Sequence, residues 1–560
     1  MTLENNLNTL SVSQRISKYF FCYIIILPAL FLILPFKVMP FLKGLQLPFK
    51  DYESIRGFID SSWVGFQNFS DLFSSIEFRL ALRNTLILNL GYIIFCGLVS
   101  LVLVVAISCF SGKKVREFFA KLFLIPYFIP TIAFCYMMMQ FLSTDHFNIP
   151  LLMQKEYFRP VFIIGQTLKT CGLPVIIALG AVNAVREHNG GKRFARHVLF
   201  PAMKCIGAFM LIRFSTLMTV DFEFTQVLYN PAVFEVADTL NAYGYRAFFQ
   251  QMNIGVSAAI DFLQYAVQLI LTILVYFILK GSFKDILFTS AKNGGTVSSD
   301  KNRTNVSGNM AGMIFACLYG LLILVILYQL CIGPFLKPNL SEGGSMLLMN
   351  PFPFFNRFAS YWFITLLSVI FSAFMTITLA YPLTVYDLPG RRLYKLCLLM
   401  ILTMGSGGVS EYRFYAELGM INTVMPYFIN GMFSIMSVFV LKSIFNAKYH
   451  DLREQALAEG MNEPRIFFKI YLPKVIKPVI GLAVLQFAAR WNSYMDVMLY
   501  VHDQMKISPT LALFVMTAGE HFNTAATMKL ALIISLPPIL LFIIFSRFLT
   551  SEVFVSQTRR

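Results

Sequence analysis

The apolar residues of this chain fall in long runs of roughly 20, and at ~1.5 Å of rise per helical residue such a run matches the ~30 Å hydrocarbon core of a bilayer. Twelve runs lie near residues 19–36, 86–110, 119–141, 160–183, 202–222, 258–280, 310–334, 358–382, 395–410, 424–445, 474–500 and 528–549. Composition agrees: 57% of the 560 residues are hydrophobic and 13% charged, too little polar surface for a soluble protein of this size. The pattern predicts an all-α polytopic membrane protein with about 12 transmembrane helices.

A formal charge of +17 raises the question of nucleic acid, but the Lys and Arg sit in short loops beside apolar runs and not on one polar domain. The first run follows Arg15 and Lys18 and lacks a small-residue cleavage site, so it reads as a retained helix with a cytoplasmic N-terminus. Alternation then puts the basic clusters on that same side: Lys113, Lys114 and Arg116; Lys192, Arg193 and Arg196; Lys284 and Lys292; Arg391, Arg392 and Lys395; Arg453, Arg465 and Lys469. The C-terminus is expected there too. Nine Cys, scattered without metal-ligand spacing and nearly all in apolar runs, read as small packing residues.

Residues 290–309, SAKNGGTVSSDKNRTNVSGN, are too polar to build a core and read as flexible, part of a cytoplasmic linker over 283–309. Six runs precede it (1–282) and six follow (310–560). Gly112-Lys113-Lys114, after the second run, is matched 278 residues on by Gly390-Arg391-Arg392, after the eighth; Phe200-Pro201 is matched 272 residues on by Leu472-Pro473. An even number of spans per half gives both halves one orientation, so the expectation is two parallel six-helix repeats.

Residues 452–473, LREQALAEGMNEPRIFFKIYLP, form a charged segment between the tenth and eleventh runs. Leu452 to Glu459 are good helix formers, Gly460 suits a bend, and Asn462-Glu463-Pro464 suits the start of a second helix with Phe467, Phe468, Ile470 and Tyr471 on an apolar side. A short helix, a bend and a second helix along the membrane face are expected, a surface that can receive a partner.

This segment resembles the EAA loop of ABC importer permeases, E-A-A-x3-G-x9-I-x-L-P: Glu454, Ala456, Gly460, Ile470, Leu472 and Pro473 match, with Gln455 in place of the first alanine. In that family the loop forms the coupling helix on the cytoplasmic ATPase, so the resemblance assigns ATPase coupling to these residues and Glu459. Residues 380–395 and 490–501 resemble one permease of the oligosaccharide and polysaccharide importers of the carbohydrate-uptake class. Residues 227–246, with NTLILNL near Asn84, resemble its partner permease, as if two normally separate chains were fused. The first half departs from the pattern. At 185–201 it reads VREHNGGKRFARHVLFP, keeping Gly190 or Gly191 and Phe200-Pro201 but lacking the Glu-Ala-Ala part, so its coupling loop is degenerate.

No G-x4-G-K-[S/T] phosphate loop occurs, since GKKV at Gly112 and GKRF at Gly191 lack both the earlier glycine and the following hydroxyl. The chain is expected to bind no cofactor itself and not to be an enzyme, leaving ATP and Mg to a partner ATPase dimer. The resemblance also implies an extracytoplasmic substrate-binding protein, an oligosaccharide cargo, a multi-pass place in the cell membrane and alternating access. The other class weighed is a major-facilitator-type secondary transporter, whose Gly-Arg-Arg loop Asp387 to Arg392 resembles; the leading glycine of that loop falls at Leu383, and the insert before the eleventh run has no counterpart there.

Ionisable groups inside spans are costly and point to a lined path or to a structural ion pair. Arg213 falls roughly 18 Å beyond Pro201 and Arg490 roughly 25 Å beyond Pro473 at helical rise. Asp221 and Glu223 follow the first; Trp491, Asn492, Tyr494 and Asp496 follow the second. Arg490 and Tyr494, four apart, are expected to share a helical face as a charged fork beside an aromatic plane, a combination that suits sugars. Two arginines suit a uronate-containing oligosaccharide, whereas the nearby acids neutralise them for a neutral one.

Overall fold

With no water in a bilayer core, each long apolar run satisfies its backbone N–H and C=O groups within itself, as a helix. The computed structural model describes residues 17–52, 57–142, 151–189, 195–282, 310–336, 351–404, 408–503, 506–518 and 524–557. Arg15, Gly190 to Arg193, Lys284, Lys292 and the linker 283–309 lie outside them. Among the described residues nine helices are long and apolar enough to cross a membrane, eleven when each of two bent pairs is taken as one span.

The first, α1 (Phe20–Phe49), leads into a short antiparallel hairpin, β1 (Lys50–Asp51) with β2 (Ser62–Trp63). Then come α2 (Ile76–Ser108), α3 (Lys113–Phe128), α4 (Thr131–Phe141), α5 (Lys155–Thr170), α6 (Gly172–Asn189), α7 (Phe200–Phe214), α8 (Phe222–Leu228), α9 (Leu240–Phe249) and α10 (Ile254–Ser282). Beyond the linker follow α11 (Met310–Cys331), α12 (Pro351–Thr384), α13 (Arg391–Thr403), α14 (Val409–Glu417), α15 (Met425–Gly431), α16 (Ile435–Ala458), α17 (Leu472–Asn492), α18 (Met495–Tyr500), α19 (Pro509–Ala518), α20 (Thr524–Phe545) and α21 (Ser551–Phe554).

Eleven of the twelve expected runs fall on these spans or bent pairs. The exception is 395–410. There α13 has only 13 residues, ~20 Å at helical rise, and stops at Thr403 before a glycine-bearing stretch; α14 starts at Val409. A comparable break, bent by 94°, separates α3 from α4 at Ile129-Pro130, where proline removes a donor and restricts the residue before it. Lys169 repairs that break: its Nζ donates to Ile129 O at 3.1 Å and to Thr131 Oγ1 at 2.9 Å.

The landmarks of the sequence have local structural counterparts. Gly112 and Gly390 each occupy the N-cap position of a helix, α3 and α13. A five-residue π-helical turn, Ala195–Leu199 and Phe467–Tyr471, stands directly before Phe200-Pro201 and Leu472-Pro473. The polar sequence around Asn84 and the 227–246 stretch meet: Asn84 Nδ2 donates to Glu235 O and Asp238 O, each at 3.0 Å, and Arg246 grips both oxygens of Asp238 at 2.6 and 2.8 Å.

The first helix of each part packs on the other part. α1 crosses to α12 and α14, with Phe36 against Phe414 and Lys43 paired with Glu417 at 2.7 Å. α11 crosses to α2 and α3 through a stripe of small residues, Gly312, Ala316 and Gly320. A Cβ on Gly312 would sit 2.6 Å from Cys109 Sγ, so the stripe sets how closely the helices approach. The outer faces of α10, α11 and α20 expose Ile270, Phe277, Leu318, Leu321, Val325, Ile543 and Ile544, an apolar surface suited to lipid tails. Of the nine Cys, six are buried, as packing residues should be, while Cys317, Cys331 and Cys397 are exposed.

Candidate functional site

The segment 452–473 folds as helix, bend, helix, with one correction to the expectation. Leu452 to Ala458 are not a separate helix but the last two turns of α16, and the second helix runs without a break through the π-helical turn into α17. Good helix formers give the tenth span no reason to stop at the membrane. Gly460 then closes α16 with φ +75°; its N–H reaches Leu457 O at 3.1 Å and that of Met461 reaches Ala456 O at 3.0 Å, the hydrogen-bond pair of a left-handed helix stop. Asn462 stands at the N-cap of the next helix without a side-chain capping bond, and Pro464 occupies its first turn.

A buried ion pair locks the bend. Arg453 Nη2 and Glu463 Oε1 lie 2.8 Å apart, both side chains 5% exposed, and Tyr381 of α12 donates its hydroxyl to the other carboxylate oxygen. Ala456 is buried beneath, whereas Leu452, Glu454, Gln455, Ala458 and Glu459 form an exposed face, with Glu454 held by His450 at 2.9 Å. Of the remaining motif positions, Ile470 and Leu472 are half-buried and Pro473 is exposed. In the other part, Phe200 is exposed and Pro201 half-buried at the head of α7.

Of the eight residues expected along a path, Glu223, Asn492 and Tyr494 join the two parts in a seam, and the contacts of the other five lie within their own part. Asp221 caps α8 through Phe224 N at 3.0 Å. Glu223 reaches across to the start of α18, where its Oε1 accepts from Ser493 Oγ at 2.6 Å and from Tyr494 N and Met495 N at 3.0 Å each. Asn492 returns the contact to Phe128 O at 3.1 Å, and Trp491 Nε1 donates to Ile534 O at 2.8 Å. The expected Arg490–Tyr494 fork does not form. α17 ends at Asn492, so the i, i+4 relation is lost; Arg490 pairs with Asp496, stacks over Tyr427, and Tyr494 is buried against Phe514. Arg213 lies over the rings of Tyr92 and Phe209.

Beside this seam is a cavity of ≈ 320 Å³ that the sequence did not reveal, walled by α1, α9, α10 and α14. It falls near the low end of ligand pockets, about 300–1,000 Å³. None of the eight residues lines it, although their neighbours Phe222 and Met495 do. Its wall carries a connected aromatic cluster: Phe222 to Tyr245 at 5.7 Å, Tyr245 to Phe249 at 4.8 Å, and Phe249 to Tyr412 at 5.3 Å between ring centroids. The lining also carries amides, with Gln264 Nε2 donating to Asn241 Oδ1 at 2.6 Å. The only hint in the sequence was the density of Tyr and Phe in 227–249.

No protein-family model matches the chain. Among curated proteins it is similar to the polygalacturonan/rhamnogalacturonan transport system permease protein YteP of Bacillus subtilis, 29% identical over 277 residues, which are 45% of this chain and 86% of that one. It is also similar to the arabinooligosaccharides transport system permease protein AraQ of Halalkalibacterium halodurans, 24% identical over 37% of this chain and 77% of that one. Among solved structures, a bacterial ABC transporter involved in the import of the acidic polysaccharide alginate aligns with 49% of this chain and 99% of its own, at 23% identity and TM-score 0.43.

Proposed function

We propose, from its kinship with permeases of ABC carbohydrate importers, that this chain is the membrane-spanning component of an ATP-driven oligosaccharide importer, with two permease units in one polypeptide. The observation that carries the reading is a pair of coverages: the best part of a whole relative, 86% of its length, corresponds to only 45% of this chain. The paired π-helical turns and the exchanged first helices support two units of one design.

In this reading a partner ATPase docks on the exposed face of α16, and the Arg453–Glu463 pair makes the docking helix and α17 move as one body. α17 ends at the seam where Asn492 and the residues after it meet the other unit, so a push at the bend reaches the cavity wall through Met495 and Leu499 of α18. ATP binding then turns the cavity outward to a binding protein, and hydrolysis resets it. The Asp387–Arg392 segment that suggested a facilitator is a structural turn: Tyr23 donates to Pro389 O at 2.9 Å and Arg391 holds Leu383 O at 2.8 Å.

Single cysteines test the docking. Glu454→Cys and Glu459→Cys should crosslink to the ATPase in the assembled importer, and Asn189→Cys, beside the degenerate loop, more weakly. Absence of any crosslink from the first two would remove the coupling assignment; equal crosslinking from all three would show a fully docked first loop.

A further inference from the structure

The relatives' names span acidic and neutral sugars; the cavity, given the importer reading on which this step rests, distinguishes them. Its described lining carries one ammonium, Lys37, and two carboxylates, Asp261 and Glu411. Lys37 is already held by Glu411 at 3.4 Å, with both side chains about nine-tenths buried. Asp261 accepts the N–H of Val409 at 3.1 Å, and among the described residues no basic side chain pairs with it. The arginines nearest the seam are engaged elsewhere, Arg490 with Asp496 and Arg213 over two rings, and neither lines the cavity. A chain of net charge +17 thus gives the described lining of this cavity one more carboxylate than cations.

A uronate oligosaccharide brings a carboxylate on each uronate unit. In this partly dehydrated space it would meet Asp261 and Glu411 with no unengaged cation in the described lining to offset the repulsion or its own desolvation. A neutral sugar meets the same groups favourably. Its hydroxyls donate charge-assisted hydrogen bonds to the carboxylates, bond the amides of Asn241 and Gln264, and its apolar ring face rests on Tyr245, Phe249 and Tyr412.

We propose that the cavity selects neutral oligosaccharides, with Asp261 as a hydroxyl acceptor and the Lys37–Glu411 pair withholding the one cation from anionic cargo. The assembled importer, in proteoliposomes with its ATPase and binding protein, is given labelled neutral trisaccharides (arabinotriose, xylotriose, maltotriose) and the trisaccharides of galacturonate and mannuronate. At least one neutral sugar should enter with ATP, and the uronates about tenfold more slowly or not at all. Asp261→Asn should lower neutral uptake about tenfold at unchanged membrane abundance, with Asp261→Glu restoring most of it. Uronate uptake equal to or faster than neutral uptake overturns the charge assignment and leaves the importer reading standing. ATP-driven uptake of neither class overturns both, and full activity of Asp261→Asn removes Asp261 from the site.

Discussion

At Gly460 the backbone takes a conformation that costs a side-chain-bearing residue about 1 kcal/mol or more, and a Cβ there would meet nothing within 4 Å, so conformation alone selects the glycine. Gly460→Ala should therefore cost little transport, whereas Gly460→Pro, which also removes the N–H bonded to Leu457 O, should lower uptake about tenfold with the chain still in the membrane. That bend was legible because glycine takes this backbone at the least cost. The Arg453–Glu463 pair was not, because ten residues of separation carry no helical signal until the bend folds one helix against the other. Arg453→Met leaves a buried carboxylate unpaired and should lower stability by about 3 kcal/mol. Adding Glu463→Leu should recover much of the loss, as thermal unfolding in detergent would show. Equal loss in the single and double variants would mean packing, not charge, holds the bend.

Helix existence was readable from apolar length, and helix ends were not. The sequence separates the charged segment 452–473 from the spans, yet α16 and α17 run into it, since nothing between Ile435 and Ala458 or between Glu463 and Asn492 breaks a helix apart from prolines the π-helical turn and tertiary packing absorb. The C-terminal turn was missed altogether. α21 wedges against α6, α16 and α17, with Val553 and Phe554 fully buried, Lys448 paired with Glu552 at 2.7 Å, and Tyr127 bonded to Gln557 at 2.9 Å. It therefore joins the two helices that lead to the two loops. A Cβ on Gly481 would sit 2.6 Å from Phe548 O, a backbone atom that cannot rotate aside. Gly481→Leu should cost about 1–3 kcal/mol and expose the C-terminal turn to protease, while Gly281→Leu, with open space around it, should do neither. Matching protease resistance in both would show that the wedge is not seated by Gly481.

For the whole molecule, hydropathy, loop charge and one motif that resembles a coupling loop were enough to reach the permease reading proposed above. The cavity was not readable, because its wall combines residues of α1, Thr219, Phe222, residues of α9 and α10, Thr403, 408–412, Met495 and Leu499, which only the crossing of α1 onto the second part brings together. The same non-local assembly explains why residues chosen by depth along single helices do not line this cavity. The proposed reading is that ATP hydrolysed by a partner drives a sugar past this seam. It is tested most directly by oligosaccharide uptake into proteoliposomes holding the complete importer, with a protonophore present and ATP supplied or withheld on the ATPase side. Uptake that requires ATP and ignores the protonophore is the predicted result; uptake that proceeds without ATP and collapses with the proton gradient would contradict it.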